Sequence, residues 1–230
     1  MTSTRLPGKV LLPIAGKPML HYHVQRLRAS GLPLYVATTT NTTDDPLADF
    51  AAAYGLPCVR GDEDNVLSRY WQCAQAYDLD IIVRVTSDCP LIDGALIGRA
   101  VQMYVAAKDE RLYLSNVLER TFPRGLDFEI FSRELLAEAA HLATLPPDLE
   151  HVTPYIHQNR SGTVRFRHAT RQPGRSSYRL TVDTAEDFAL IKTLIEQHHA
   201  DHLSAGQLIT LLDAHPELVA LNAHIEQKKI

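Results

Sequence analysis

Cysteine is scarce in this 230-residue chain, which has only Cys58, Cys73 and Cys89. Their number is odd, and neither CxxC spacing nor neighbouring histidines suggest a zinc site, so they read as reduced thiols of a cytoplasmic protein. Long apolar runs are also missing. None approaches the roughly 20 residues that span a bilayer, and the opening MTSTRLPGKV lacks the apolar core of a secretion signal, so neither membrane insertion nor export is expected. No excess of positive charge exists either: the formal net charge is -4, and the Lys and Arg residues are dispersed. That argues against an extended nucleic-acid surface and leaves small anionic ligands open.

What remains is an ordinary globular composition, 45% hydrophobic and 22% charged, without internal repeats or low-complexity tracts. Apolar spacing predicts helices over Pro18 to Ser30, Asp44 to Tyr54, Asn65 to Tyr77 and Ala95 to Ala107. Between them fall β-prone runs at Leu34 to Thr38, Cys58-Val59 and Ile81 to Val85, the last reading as the best buried strand. This alternation predicts an α/β fold, a mostly parallel sheet with helices on both faces and ligands at the carboxyl ends of its strands.

From Leu112 the rhythm changes. Short strands are expected at Leu112 to Ser115, Phe128 to Phe131, Val164 to His168 and Tyr178 to Val182, and helices at Arg133 to Leu142 and Leu149 to Gln158. Thr184 and the Ser204/Gln207 pair cap later helices, and Pro216 stands near a helix start. The chain reads as one domain over 1–230, with an elaboration at about 112–177 and a helical end from about 184.

Three segments carry chemistry. In Ser3-Thr4-Arg5-Leu6-Pro7-Gly8-Lys9, hydroxyls, cations and a glycine crowd one turn, which suits phosphate oxygens and equally a solvated tail. In Val85-Thr86-Ser87-Asp88-Cys89-Pro90-Leu91-Ile92-Asp93, an apolar strand runs into Asp88, either a hard oxygen ligand for Mg²⁺ or a turn-forming residue. In Arg179-Leu180-Thr181-Val182-Asp183-Thr184-Ala185-Glu186-Asp187, Thr184 caps a helix while Asp183 is free to face a site; Asp187 reads as a charge complementing the helix dipole. Asp88 and Asp183 are therefore expected to face one cleft within reach of a shared metal. No nucleophile–base triad is evident, and His21 and His23 read as packing or surface residues.

In order along the chain, STRLPGKVL with AGKPML, ATTTNTTDDP, RGDEDNVLSRY, TSDCPLID, PRGLDFEIF, EHVTPYI and TVDTAEDF resemble the SpsF-like, or acylneuraminate cytidylyltransferase, group of nucleotide-sugar-forming transferases. That resemblance implies a Rossmann-like nucleotidyltransferase fold and transfer of CMP from CTP to a sugar or sugar acid, with pyrophosphate released, in bacterial surface polysaccharide biosynthesis. It implies that Ser3, Arg5 and Lys9 contact the nucleotide phosphates and that Asp88 and Asp183 coordinate Mg²⁺. Gly61, Glu63 and Arg69 would help form the nucleotide pocket; Arg124, Asp127, Glu150 and His151 would lie on the sugar side or serve structure. A homodimer is left open.

Two rival readings stand beside it. A metal-dependent glycosyltransferase would share the half-fold but usually shows an Asp-x-Asp motif that TSDCPLID does not provide; the other rival is a non-catalytic binding subunit. The resemblance also departs at its start, because members of the group begin with an apolar strand ahead of the segment matching Met1 to Lys9. Either Met1 is an internal methionine of a longer chain or this is a shortened, inactive relative. In both cases Leu34 to Thr38 and Ile81 to Val85 are expected to flank a defect in the sheet.

Overall fold

The computed structural model describes residues 5–227. Ahead of the first helix, β1 (Pro13–Ile14) and β2 (Lys17–Pro18) form a small antiparallel hairpin that periodicity cannot reveal, since each arm has two residues. Helix α1 (Met19–Arg28) follows, then β3 (Val36–Thr39), α2 (Asp45–Ala53), β4 (Cys58–Gly61), α3 (Val66–Ala76), β5 (Ile81–Arg84) and α4 (Gly94–Ala107). All of the helices and strands expected in this half are present, each end within two residues of its expected place. Asn65 and Asp93 cap α3 and α4 by accepting from Ser68 N and Leu96 N, which satisfies donors that a helix start would otherwise leave unpaired.

The second half contains β6 (Leu112–Ser115), β7 (Glu129–Ser132), α5 (Arg133–Leu142), α6 (Pro146–His151), α7 (Pro154–His157), β8 (Arg165–His168), α8 (Ala185–His198), α9 (Ala205–Ala214) and α10 (Pro216–Ala220). Two expectations need correction. The helix read over Leu149 to Gln158 is two short ones, because Val152 adopts φ 72 and Pro154 lacks the N–H that would continue the ladder. Tyr178 to Val182 is extended but joins no sheet. Its hydrogen bonds go to loops instead: Arg124 N donates to Tyr178 O, Leu180 N to Arg124 O, and Val182 N to Asp88 O.

The result is a Rossmann-like α/β fold whose strands lie in separate groups. β3 and β4 pair in parallel, while a four-stranded sheet runs β5-β7-β6-β8 with β6 and β8 parallel and β7 antiparallel to both its neighbours. Side chains of β5 alternate between two cores: Ile82 packs with α3 and α5 through Leu67 and Leu135, and Ile81 and Val83 pack with Leu27 of α1 and Ile97 of α4. Helices thus cover both faces, as alternating strand geometry requires. α1 and α4 approach so closely that a Cβ on Gly94 would lie 2.2 Å from Arg26 O, so only glycine fits there.

A third core joins the hairpin, α1, the Tyr178 to Val182 segment and α8 with α9. This core presses the Asp183 segment against the end of β5. Both helices have capping boxes, Thr184/Asp187 and Ser204/Gln207, which fix where each starts.

Candidate active site

β5 ends at Arg84 and the chain turns through Thr86 to Asp88, while Val182 and Asp183 arrive from the opposite side just before α8. The backbone bond from Val182 N to Asp88 O, 2.8 Å, holds the two segments together. Lys9 lies between them. Its Nζ donates to Asp88 Oδ2 at 2.9 Å, Asp183 Oδ1 at 2.8 Å and Val182 O at 2.7 Å. Asp88 and Asp183 therefore face one point, and the ammonium fills it.

Arg5 approaches Asp183 Oδ2 at 3.1 Å from the exposed side. On the buried side, Arg179 donates from Nη2 to Asp183 Oδ2 at 2.8 Å and makes a two-pronged contact with Asp187, Nε to Oδ1 at 2.8 Å and Nη2 to Oδ2 at 3.0 Å. Asp187 also accepts from Asp183 N, Thr184 N and Asn222 Nδ2. It is wholly buried and anchors the Asp183 turn, which is more than the dipole charge the sequence suggests. Arg179 is a site residue that sequence reasoning missed. The available signal was its position four and eight residues ahead of two aspartates, in a segment leading into a capped helix.

Charge coupling follows this geometry. Burial alone would lower the Lys9 pKa, but Asp88 and Asp183 outweigh it and hold the ammonium above its ordinary value. Burial would raise Asp183, yet Lys9, Arg179 and Arg5 hold it below the usual carboxylate range. Asp183 thus contributes stability that is present above about pH 4 and lost as pH falls through its depressed folded value; Lys9 contributes stability present below about pH 10 and lost as pH rises through its raised one. We expect Lys9→Gln to lose stability most between those limits and to converge on the parent toward both extremes. Urea denaturation across pH checks this, and a deficit independent of pH would refute the coupling.

Around this cluster the remaining candidates separate. Burial holds the Cys89 thiol well above its ordinary pKa, and the charges of Asp88 and Asp127 push it the same way. Asp127 lies just ahead of β7 and accepts from Arg120 Nη1 and Nη2 at 2.6 and 3.1 Å. Arg120 is a second residue that the sequence reading overlooked. Burial lowers the Arg124 pKa, with Arg120 and Arg179 adding to the effect against Asp127, which puts three guanidiniums in one neighbourhood. Gly125, at φ 95, holds this loop against Leu180, whose backbone a Cβ would meet at 2.4 Å.

Gly61 ends β4, and Arg69 folds back over the following turn to donate to Asp62 O and Glu63 O. Glu63 accepts from Asn41 Nδ2, so these three residues shape the loops after β3 and β4. Asp44 secures the first of those loops. It is buried and accepts from Thr38 Oγ1 and from Thr39 N and Oγ1; burial opposes its ionisation, and these donors hold its pKa far below the usual range regardless. Glu150 is exposed on α6 and His151 half-buried at its end, and no contact joins either to Lys9, Asp88 or Asp183 among the described residues. Ser3 lies outside the described residues. His23 is buried against Cys89 O and His21 meets Tyr54 Oη, both packing roles.

The donor chemistry at Asp88 and Asp183 suits Mg²⁺, which takes one or two carboxylates and completes its shell with water and substrate phosphate. Among the described residues no group of three or more His, Cys, Asp or Glu forms an all-protein metal cage. No helix among them is long and apolar enough to cross a membrane.

Comparison with known proteins gives a consistent answer. A family model described as cytidylyltransferase matches residues 1–209. The chain is 33% identical over 226 residues to the spore coat polysaccharide biosynthesis protein SpsF of Bacillus subtilis, covering 94% of this chain and 92% of that protein. Among solved structures, a cytidylyltransferase from Leptospira borgpetersenii superposes with a TM-score of 0.88 at 32% identity, covering all of this chain and 95% of that one. The structure of a CMP:2-keto-3-deoxy-manno-octonic acid synthetase complexed with CTP shares the fold, with a TM-score of 0.60 at 18% identity over 85% of this chain and 95% of that one. The chain belongs to the cytidylyltransferase family and is a nucleotidyltransferase.

Proposed function

We propose that the protein transfers CMP from CTP to a sugar or sugar acid and releases pyrophosphate, with Mg²⁺ held by Asp88 and Asp183, in building a bacterial surface polysaccharide. The observation that carries this reading is the convergence of those two carboxylates with Lys9 at the end of β5. An acceptor oxygen attacks the α-phosphorus in line as the bond to the bridging oxygen of the β-phosphate breaks, and the acceptor proton leaves to solvent. Such a reaction depends on positioning and on offsetting negative charge, with little covalent help from the protein.

Lys9 and Arg5 supply the mobile positive charge. Nucleotide phosphates would compete with Asp88 and Asp183 for the Lys9 ammonium; those two carboxylates would hold Mg²⁺, which would offset charge on the phosphates as a Lewis acid. Arg179 keeps Asp183 oriented meanwhile, since its guanidinium also holds buried Asp187. Arg120, paired with Asp127, and Arg124, whose backbone bonds the segment leading to Asp183, are assigned with Asp127 to the acceptor. The Asn41, Gly61, Glu63 and Arg69 loops are assigned to the nucleoside.

Isothermal titration with CTP and Mg²⁺, run beside UTP and several nucleotide-sugars, tests the reading. CTP is expected to bind with clear preference and to release pyrophosphate once an acceptor is found. Preference for a nucleotide-sugar would favour a glycosyltransferase, and binding of none of them would favour a non-catalytic subunit.

A further inference from the structure

Beyond α10 the chain returns to the active site. α9 and α10 lay Leu208, Leu212 and Leu218 into the third core, and the backbone then turns at Asn222, whose carbonyl accepts from Ile225 N at 3.0 Å. That docking sets Asn222 against Arg179, 43 residues away in sequence. Asn222 is buried, and its Nδ2 donates to Arg179 O at 3.1 Å and to Asp187 Oδ1 at 2.8 Å. Both N–H groups of the amide are thus engaged at the two ends of Arg179, one with its backbone carbonyl and the other with the carboxylate that grips its guanidinium. Further on, Gln227 Oε1 accepts from Arg179 Nη1 at 2.5 Å.

These contacts bear on Asp183 because a guanidinium is a rigid planar fork. Nε and Nη2 meet Asp187, Nη1 meets Gln227, and Nη2 also meets Asp183 Oδ2 at 2.8 Å. Once the partners of Nε and Nη1 are fixed, so is the plane, and with it the direction from which Nη2 reaches Asp183. The backbone of the Asp183 turn is tied separately, through Asp183 N and Thr184 N to Asp187 Oδ2. What those bonds leave open is the rotation of the Asp183 carboxylate. Lys9 and Arg5 touch it too, but nucleotide phosphates would compete for both. Arg179 is buried, so it is the cation left to hold Asp183 when they do.

We infer that the C-terminal turn is part of the active site: Asn222 and Gln227 are positioning residues that fix the Arg179 guanidinium and, through it, the carboxylate of Asp183. Both lie past the 1–209 span that the family model matches, so that match assigns them no role. Their part in the reaction rests on Asp183 being a metal ligand, whereas their hold on Arg179 is a property of the free protein.

Two alanine variants and two references test this. Asn222→Ala removes both amide donors; Gln227 is exposed, so Gln227→Ala should keep Tm within about 2 °C of the parent. In the free protein, exchange of the Arg179 Nε–H proton with solvent, followed by NMR, is expected to quicken about tenfold in Asn222→Ala and about threefold in Gln227→Ala, the loosening that one lost hydrogen bond gives. Gln227→Glu keeps an acceptor oxygen for Nη1 and should restore the parent's exchange. Affinity for Mn²⁺ in the presence of CTP, read from the EPR signal of the free ion, should fall about tenfold in Asn222→Ala, the low end for losing an outer partner of a metal ligand. It should fall less in Gln227→Ala and return in Gln227→Glu. In an Asp183→Asn background, Asn222→Ala should add no further loss, because the two act through one carboxylate. Unchanged Arg179 exchange in both alanine variants would overturn the proposal. So would the parent's Mn²⁺ affinity in both while Asp183→Asn weakens it, or additive losses in the double variant, since the turn would then serve the fold alone. If Asp183→Asn itself binds Mn²⁺ like the parent, the metal assignment of Asp183 falls and takes the turn's part in the reaction with it, an outcome that this reference variant tells apart from the others.

Discussion

Asp88→Asn is expected to cut pyrophosphate release by about 10²–10³-fold, the range seen when one preorganised charge-stabilising group is removed from an active site. The carboxylate and the amide have nearly the same shape, so packing around Cys89 and Pro90 should hold. Lys9 keeps Asp183 and the Val182 carbonyl as partners, and the lost ion pair is only partly buried. The stability cost should therefore stay near 1 kcal/mol or below, a shift of about 2–4 °C in Tm for a chain of this size. Loss of formal charge acts on the hard cation above all, so the variant should need much more Mg²⁺ to reach half its own maximal rate. Turnover unchanged at limiting Mg²⁺ would remove Asp88 from the metal, and a collapse in Tm would mean that the residue serves the fold.

How legible this site was can be judged residue by residue. Asp88 and Asp183 both follow apolar β-prone runs, and in an α/β fold that pattern sends a carboxylate to the ligand edge; the structure brings both to Lys9 Nζ. Arg5 and Lys9 were legible as a cationic turn, but their pairing with those carboxylates was not, since 79 residues separate Lys9 from Asp88. Arg120 was hidden because it belongs to a loop without periodicity, seven residues from Asp127. Glu150 and His151 show the opposite error. They sit in a segment that resembles the family, yet the break at Val152 and Pro154 leaves Glu150 on the exposed side of a short helix, with no contact to the cluster.

The fold was legible where helices and strands alternate, because each element there buries an apolar stripe or run against its neighbours. Tyr178 to Val182 was misread for a physical reason. Its β-branched and apolar residues satisfy packing in the third core, with Leu180 and Val182 wholly buried, while its hydrogen bonds go to the Arg124 and Asp88 loops. Propensity reports the extended backbone and cannot report whether the partner is a strand or a loop.

That extended segment also carries the largest stability effect expected. Arg179→Met should lower stability by roughly 3 kcal/mol, the low end of the cost of breaking a buried ion pair by removing one partner. Asp187 would remain wholly buried and ionised, with the Asp183 and Thr184 amides and Asn222 as its donors, and these neutral donors keep the cost from being larger. For this chain length, Tm should fall by about 6–12 °C. The sign with pH follows from Asp187, whose carboxyl is held low in the folded protein by Arg179 and by its backbone donors against the opposing effect of burial. Its contribution is present above about pH 4 and fades as pH falls through the depressed folded value. Without Arg179 the folded pKa rises, so the variant's deficit should be greatest near neutrality and shrink below about pH 4. A second change, Asp187→Asn in the Arg179→Met background, removes the stranded charge while keeping the helix cap's acceptor oxygen, and should recover part of the loss. Because Arg179 also orients Asp183, the single variant should lose activity even at temperatures where it is fully folded, and the double variant should regain stability without regaining that activity. A Tm within about 2 °C of the parent, or no recovery in the double variant, would show that the buried pair contributes little and that Asp183 is positioned by its backbone alone.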